Sequence, residues 1–234
     1  MTKYNNYDFQ ILSEKFSKFE AFDLLKVMIK KVFYKKIVLT SSFGAESIVI
    51  LHLVSKIDKN IPIIFLDTGK LFPETINYLK KVKKFLNLSN IKIQRPDKKD
   101  LELNDSKGIL HKSNPNLCCR IRKVIPLDKA IAPYDGWING RKRFHGLERS
   151  NIKKIEKFNS VIKINPLADW TFKKIKNYIN KHNLPEHPLV KNGYKSIGCV
   201  PCTSKIADDN KVRSGRWKNL NKNECGIHTY NPSI

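Results

Sequence analysis

The sequence has no long apolar run and no leader pattern. None of its apolar stretches approaches the roughly 20 residues that a helix needs to cross a bilayer. Its first ten residues, MTKYNNYDFQ, lack the basic segment followed by an apolar segment that is typical of a signal peptide. There is also no internal repeat, no Walker motif and no GxGxxG motif. We therefore expect a cytoplasmic protein that does not bind membranes and whose cysteines do not form structural disulfides.

Acidic residues and arginines are both scarce. The 234 residues include 21 Asp and Glu against 45 Lys and Arg, which gives a formal net charge of +24. Only eight of the basic residues are arginines, and the lysines are spread along the chain beside Asn and Ile, as an AT-rich coding bias would produce. We interpret most of the charge as solvated surface and do not expect nucleic acid as a partner. All arginines except Arg95 lie in the second half of the chain, which suggests a site for phosphate, sulfate or carboxylate.

Short β-branched segments alternate with segments of helical periodicity. The predicted strands span 36–43, 61–69, 91–96, 136–140 and 160–167, and the predicted helices span 45–57, 73–86 and 171–182. Asp169 or Thr171 would cap the last helix. This alternation predicts an α/β fold with a mostly parallel sheet flanked by helices, whose ligands bind at the carboxyl ends of the strands.

The chain divides into two predicted parts. The α/β domain covers residues 1–187 and begins with a helical lead of about 1–35. From Pro188 the periodicity fades into a Gly-, Lys- and Asn-rich segment, 188–234, which we expect to be a flexible C-terminal tail.

Two polar turns follow predicted strands. The first is SSFGAES, residues 41–47, which leads directly into a helix and can present backbone N–H groups and hydroxyls to an anion at the helix N-terminus. The second is LDTG, residues 66–69. Taken alone, either turn could be an ordinary loop. For SSFGAES, an anion-binding turn and an ordinary strand-to-helix loop are about equally well supported.

Four of the five cysteines form two close pairs. CVPC (199–202) has the two-residue spacing that lets both sulfurs face one metal centre, and Cys118-Cys119 is the remaining pair. Because neighbouring side chains diverge, adjacent cysteines suit the separate iron corners of a [4Fe–4S] cluster better than a single zinc ion. Structural zinc and buried thiols without a metal are the alternatives. Arg120, Arg122 and Lys123 would offset the charge of four thiolates.

The fifth cysteine, Cys225, stands alone in NECGIH, near Lys222 and His228. Nearby cations favour the thiolate, which is the nucleophilic form. We therefore interpret Cys225 as a candidate nucleophile, and the alternative is an incidental exposed thiol.

Taken together and in order, six motifs resemble those of the assimilatory adenylyl-sulfate (APS) and phosphoadenylyl-sulfate (PAPS) reductases. They are SSFGAES, LDTGKLFPET, CCRIRKVIPL, GRKRFHGLERS, GCVPC and ECGIH. The four paired cysteines match the iron–sulfur branch of that family. The resemblance implies a PP-loop, adenine nucleotide alpha hydrolase-like fold, with 1–187 as the nucleotide-binding domain. It also implies reduction of APS to sulfite and AMP by reduced thioredoxin or glutaredoxin, through an S-sulfocysteine, in a homo-oligomer.

The resemblance also assigns roles to residues. Cys225 would be the nucleophile, and Cys118, Cys119, Cys199 and Cys202 would hold a [4Fe–4S] cluster. Lys123 would lie between cluster and substrate. The predicted substrate-binding residues are Ser41, Ser42, Phe43, Gly44, Ala45, Glu46, Leu66, Asp67, Thr68, Gly69, Lys123, Gly140, Arg143, Arg149, Arg213, Arg216 and His228.

Three other functions compete with this one. PAPS reduction, or activity on both nucleotides, differs only by a 3′-phosphate that one further lysine could bind. A PP-loop RNA-modifying enzyme would suit the basic charge, but the first turn lacks the Ser-Gly-Gly-x-Asp-Ser form of the ATP-using members, and ECGIH has no place there. A non-enzymatic zinc or nucleic-acid-binding module predicts that replacing Cys225 has no effect.

Overall fold

The structure, a computed structural model, describes residues 9–206, 212–218, 220 and 222–228 and builds them around a six-stranded sheet. The strands are β1 (Ile37–Thr40), β2 (Ile63–Leu66), β3 (Ile91–Gln94), β4 (Gly136–Ile138), β5 (Ile155–Phe158) and β6 (Val161–Ile164). Their order is β3-β2-β1-β4-β6-β5, and every neighbouring pair is parallel except β5 and β6. The predicted α/β fold with a mostly parallel sheet is confirmed.

Helices cover both faces of this sheet. They are α1 (Phe9–Phe16), α2 (Ala21–Val27), α3 (Ser47–Ser55), α4 (Pro73–Phe85), α5 (Lys98–Asp105), α6 (Leu110–Ser113), α7 (Pro115–Cys119), α8 (Ile125–Ile131), α9 (Phe172–Lys181) and α10 (Pro188–Lys191). A π-helical turn, Met28–Val32, extends α2, and a second one, Arg120–Val124, joins α7 to α8. The three predicted helices correspond to α3, α4 and α9.

The alternation of side chains along each strand divides the core in two. Ile37 and Leu39 of β1 belong to one apolar cluster, which includes the wholly buried residues of α3. Val38 belongs to a second cluster with Trp137 of β4 and Leu127 of α8. Because successive strand residues point to opposite faces, both faces of β1 are buried, as its continuous apolar sequence predicts.

The strand order reverses at the β1–β4 boundary. From β1 the chain proceeds to β2 and β3 on one side of the sheet, whereas β4 and β6 lie on the other side. Such a reversal leaves a crevice at the carboxyl ends of the two central strands, because their connections leave in opposite directions.

Strand β5 and helices α5 to α8 are absent from the sequence predictions. β5, at the sheet edge, has two adjacent charged residues, Glu156 and Lys157, between Ile155 and Phe158, so it lacks a strand-like apolar pattern, and Asn159, at φ +48°, makes the tight connection to β6. Thr171 caps α9 by accepting a hydrogen bond from the Lys174 N–H at 3.1 Å. The alternative cap, Asp169, instead pairs with Lys154 at 2.9 Å, and that part of the prediction is wrong.

The described residues after Pro188 contain little regular structure but pack on the sheet domain. Leu71 and Cys199 form an isolated antiparallel bridge, as do Thr203 and Arg216, and Trp217 is buried. The division of the chain into two parts at residue 187 stays a prediction. In the described part of the chain, no helix has both the length and the apolar character that a membrane span requires.

Thr171 provides a test of the helix assignment. Thr171→Ala should lower the free energy of unfolding by about 1 kcal/mol, since the α9 N-terminus loses its side-chain acceptor. Urea denaturation measures the difference. Thr171→Ser keeps the hydroxyl and should unfold almost as the wild type does; equal losses for both variants would contradict the assignment of the cap.

Candidate active site

A cavity of about 240 Å³ opens at the carboxyl ends of β1 and β4. Its wall combines the loops after these strands, the π-turn before α8 and the C-terminal segment. The predicted site residues on this wall are Ser41, Ser42, Gly44, Ala45, Glu46, Leu66, Thr68, Lys123, Gly140, Arg149, Cys199, Arg213, Arg216, Cys225 and His228. Most of the predicted residues, which span positions 41 to 228 of the sequence, thus meet at one cavity in the folded chain.

Four of the predicted substrate-binding residues do not line the cavity: Phe43, Asp67, Gly69 and Arg143. The Phe43 ring is fully buried and packs edge-to-face on Phe65, with ring centroids 5.6 Å apart. Asp67 pairs with Arg95 at 3.0 Å, and Arg143 Nε donates to a backbone carbonyl of the following loop at 2.8 Å. Gly69 lies in the turn after β2. Phe43 thus belongs to the core, and Asp67 and Arg143 stabilise loops. None of the four residues contributes to the cavity wall.

A buried polar relay starts at Glu46. Its Oε2 accepts hydrogen bonds from Lys142 Nζ at 2.5 Å and from His145 Nε2 at 3.0 Å. Burial alone would raise the pKa of Glu46, but Lys142 and His145 more than offset it and lower the pKa to about 2. Glu46 is therefore ionised. Glu46 lines the cavity, and its second oxygen, Oε1, is buried and has no hydrogen-bond partner among the described residues.

His145 connects this carboxylate to Arg149. Arg149 Nη1 can only donate, so His145 Nδ1, 3.1 Å away, accepts, and the ring proton lies on Nε2 facing Glu46. Burial lowers the pKa of His145 to about 4, despite the opposing effect of Glu46. A neutral imidazole of defined tautomer thus fixes the orientation of Arg149.

Arg149 also holds Glu224, the residue directly before Cys225. Arg149 Nη2 donates to Glu224 Oε2 at 2.9 Å, and Arg149 Nε donates to Oε1. Arg213 Nη2 lies 3.3 Å from the same Oε2 and donates to the backbone carbonyl of Asn223 at 2.8 Å. Burial raises the pKa of Glu224, but the bonds from Arg149 outweigh this effect and keep the pKa below its usual value.

Arg216 approaches the backbone at Gly198. A Cβ at Gly198 would lie 2.0 Å from Arg216 Nη1, so only glycine leaves room for the guanidinium. The Arg216 guanidinium also lies over the Trp217 ring, 4.6 Å from its centroid. Arg216 is therefore held in place on the cavity wall by its immediate surroundings.

The four paired cysteines line a second, smaller cavity beside the first. All four are buried, and Thr68 Oγ1 lies 3.2 Å from Cys199 Sγ. Among the described residues, no three His, Cys, Asp or Glu side chains gather as ligands of a single metal ion. A zinc ion needs thiolates about 2.3 Å from one point, whereas a cluster with several irons accepts sulfurs that are further apart. Four buried thiols are the donor set that an iron–sulfur cluster takes, so the residues present are compatible with one.

Lys123 lies between the two cavities and lines both. Burial lowers its pKa, but Cys199 and Cys225 have the larger combined effect and raise the pKa above its usual value. Lys123 in turn keeps the pKa of Cys199 below its usual value, although burial of this thiol acts in the opposite direction. Lys123 and Cys199 thus stabilise each other's charged forms.

Arg122, next to Lys123, lines the small cavity, and burial raises the pKa of Cys118 while Arg122 partly offsets that rise, as expected; it also holds two elements together. Its Nη2 donates to Asp105 Oδ2 at 2.6 Å and its Nη1 to the Thr68 carbonyl at 2.8 Å, and both side chains of the ion pair are buried. The π-turn allows these two successive basic residues to reach separate partners. Arg122 therefore ties the Cys118-Cys119 helix to the loop after β2, and Asp105 neutralises much of its charge. Arg120 is exposed.

Cys225 and His228 complete the wall. Cys225 is half-buried and packs against Cys199, Cys202 and Trp217. The His228 ring stacks on Trp137, with centroids 5.2 Å apart and planes 10° from parallel. Burial lowers the pKa of His228 well below its usual value, so the imidazole is neutral. Lys222, expected near the thiol, donates its hydrogen bond to Asn116 Oδ1.

Several wall residues have no sequence prediction. They are Asn139, Arg141, Lys142, His145, Lys195, Ser196, Gly198, Trp217 and Glu224. Lys142 and His145 lie within the GRKRFHGLERS motif, and Glu224 lies within ECGIH, so the motifs contained a signal. Their partners are 75 to 99 positions away, which only the fold reveals.

The chain is similar to known proteins over most of its length. Residues 36–205 match the family described as "Phosphoadenosine phosphosulfate reductase domain". A Mesorhizobium japonicum protein named adenosine 5'-phosphosulfate reductase is 43% identical over 206 residues, covering 88% of this chain and 81% of that protein. A protein of the same name from Chelativorans sp. is 46% identical over 188 residues, covering 80% and 77%.

Solved structures are similar as well. The phosphate complex of a phosphoadenylyl-sulfate reductase from Candida auris superposes with a TM-score of 0.68 at 26% identity, covering 85% of this chain and 96% of that one. An NH3-dependent NAD synthetase from Campylobacter jejuni superposes with a TM-score of 0.52 at 19% identity, covering 80% and 78%. The second similarity concerns the fold alone.

The contact between Gly198 and Arg216 can be tested directly. Gly198→Ala should lower the affinity for inorganic sulfate by about tenfold, because the new methyl displaces a charged hydrogen-bond donor. The melting temperature should change little, since the guanidinium is the end of a flexible side chain. In an Arg216→Ala background the same change should have no further effect on sulfate binding; additive losses would show that Gly198 acts by another route.

Proposed function

The chain belongs to the phosphoadenosine phosphosulfate reductase domain family, and we propose that it reduces adenylyl sulfate to sulfite and AMP. The observation that carries the proposal is Cys225, a half-buried thiol on a cavity wall that also bears Arg213, Arg216 and Lys123. Burial acts to lower the pKa of all three cations, and negative charge on Cys225 acts to raise it, so the thiol and the cations lie close together. Such a wall suits a nucleophile that attacks an anionic group. Relatives with 41–46% identity named adenosine 5'-phosphosulfate reductase support the same substrate.

The two ends of the cavity suit the two ends of this substrate. The loop after β1 and residues Leu66, Thr68 and Gly140 line the part of the cavity that would hold the adenosine. The buried Oε1 of Glu46 can accept a hydrogen bond from a nucleoside N–H or O–H group. The arginines would bind the phosphosulfate, because guanidinium groups match its paired oxygens.

The proposed chemistry proceeds in two steps. The Cys225 thiolate attacks the sulfur of the phosphosulfate, the bond from sulfur to the bridging oxygen breaks, and AMP leaves with that electron pair. This step gives an S-sulfocysteine. A thiolate of reduced thioredoxin or glutaredoxin then attacks Cys225 Sγ and sulfite leaves with the electrons of the broken S–S bond. The second thiol of the donor closes its disulfide and regenerates Cys225, so the donor supplies both electrons.

Fixed cations contribute to the first step. Negative charge moves from the thiolate towards the phosphate oxygen, and donors already in place stabilise it without reorganisation. Lys123 lies close to both Cys225 and Cys199, so it would stabilise the attacking thiolate. His145 fixes the direction of Arg149 without adding a charge of its own.

The four buried cysteines would hold a [4Fe–4S] cluster. Cys118 and Cys119 come from the end of α7, and Cys199 and Cys202 flank a short 3₁₀ turn, so the ligands arrive from opposite sides of the small cavity. The cluster would supply charge and rigidity next to Lys123. We expect a cytoplasmic homo-oligomer, which stays a prediction.

PAPS is the second candidate substrate. The family description and the solved relative from Candida auris both name phosphoadenylyl substrates, and Lys195 on the cavity wall offers a cation for a 3′-phosphate. The RNA-modifying and zinc-module functions gain no support from the named relatives.

Replacing Cys225 tests the mechanism. Cys225→Ser should abolish sulfite release while iron and sulfide content stay at the wild-type level, because Cys225 does not line the small cavity of the paired cysteines. Wild-type enzyme mixed with APS in the absence of a thiol donor should accumulate a sulfonate adduct on the Cys225 peptide, detectable by mass spectrometry. Sulfite release by the serine variant would remove Cys225 from the mechanism.

A further inference from the structure

The carboxylate of Glu224 binds the arginines that we assign to the phosphosulfate. We propose that Glu224 is an internal competitor for this anion site, and that the arriving substrate displaces it and so repositions Cys225. This inference rests on the proposed function. It adds a role for a residue that is neither the nucleophile nor a substrate ligand.

Glu224 occupies the edge of the Arg149 guanidinium that a second anion would need. Its Nε and Nη2 bind the two oxygens of Glu224, and its Nη1 binds His145. The Nε–Nη2 edge, one of the two guanidinium edges that can bind paired phosphate or sulfate oxygens, is therefore occupied by a carboxylate, and Nη1 is engaged by His145. An anion that needs this edge has to take the place of Glu224.

Charge strengthens this exclusion. The side chains of Arg149, Glu224 and Arg213 are only 12%, 10% and 14% exposed. Two anions close together in such a poorly solvated place repel each other strongly. The same arginines cannot bind Glu224 and a phosphosulfate at full strength, so the two compete.

The competitor is joined to the nucleophile. Arg213 holds the carbonyl of Asn223 as well as the side chain of Glu224, and Cys225 is the next residue. Gly226 follows at φ +87°, a conformation that glycine adopts at little cost. When Asn223 and Glu224 are released from the arginines, the short segment that carries Cys225 becomes free to move, with Gly226 on its C-terminal side. Substrate arrival is in this way coupled to movement of the thiol that attacks it.

AMP is a suitable probe, since it has a phosphate but no sulfur for Cys225 to attack. Glu224→Gln should bind AMP at least about tenfold more tightly than the wild type by titration calorimetry, because a charge-assisted pair no longer has to be broken. The amide keeps the size of the side chain. Glu148→Gln, which removes an exposed carboxylate next to Arg149 in sequence, controls for net charge and should bind AMP as the wild type does.

Alkylation of Cys225 by iodoacetamide, followed by peptide mass spectrometry, provides a second measurement. Saturating AMP should accelerate the reaction in the wild type, and Glu224→Gln should react fast with or without AMP. Equal AMP affinities in the wild type and Glu224→Gln, or weaker binding by the variant, would overturn the competition. If APS also yields sulfite, that result leaves the proposed function intact; absence of both AMP binding and sulfite would overturn both proposals.

Discussion

The structure depends on how it balances positive charge buried around one cavity. Arg149, Arg213, Arg216 and Lys123 meet on its wall, and isolated buried cations carry a large desolvation cost. Glu224 offsets that cost for two of the arginines, and the cysteines offset it for Lys123. The site is therefore prepared for anions. Each cation is held by contacts that define where an incoming charge can bind.

The sheet topology determines where these charges can meet. The reversal of strand order at β1 and β4 opens a crevice at their carboxyl ends, and the loops after both strands contribute wall residues. The C-terminal segment covers the crevice. Its Cys199 forms a β-bridge with Leu71, and its Trp217 is buried. Cys199 and Cys225 thus reach the cavity on a segment with little regular structure, which suits the movement of Cys225 between substrate and thiol donor that the proposed mechanism requires.

The sequence allows all the described strands except β5, the two cysteine pairs and the isolated Cys225 to be recognised, because their signals are local. Spacing of two residues identifies CVPC, and apolar runs identify β1 and β2. It does not reveal that Arg122 pairs with Asp105, or that Arg149 binds Glu224, since these partners are 17 and 75 positions apart. Phe43 illustrates the opposite error: it lies inside a recognisable motif, yet its ring belongs to the core. A residue that belongs to a motif is expected to lie near the site. Whether its side chain faces the cavity depends on whether that side chain is buried in the core.

The most direct test of the account is sulfite release from APS and from PAPS, compared on anaerobically purified protein with reduced thioredoxin, with iron and sulfide assayed on the same sample. The account predicts about four irons and four sulfides per chain, as a [4Fe–4S] cluster requires, together with a clear preference for APS. An iron-free protein that prefers PAPS would contradict the interpretation of the cysteine pairs. Sulfite from neither nucleotide would contradict the proposed reaction itself.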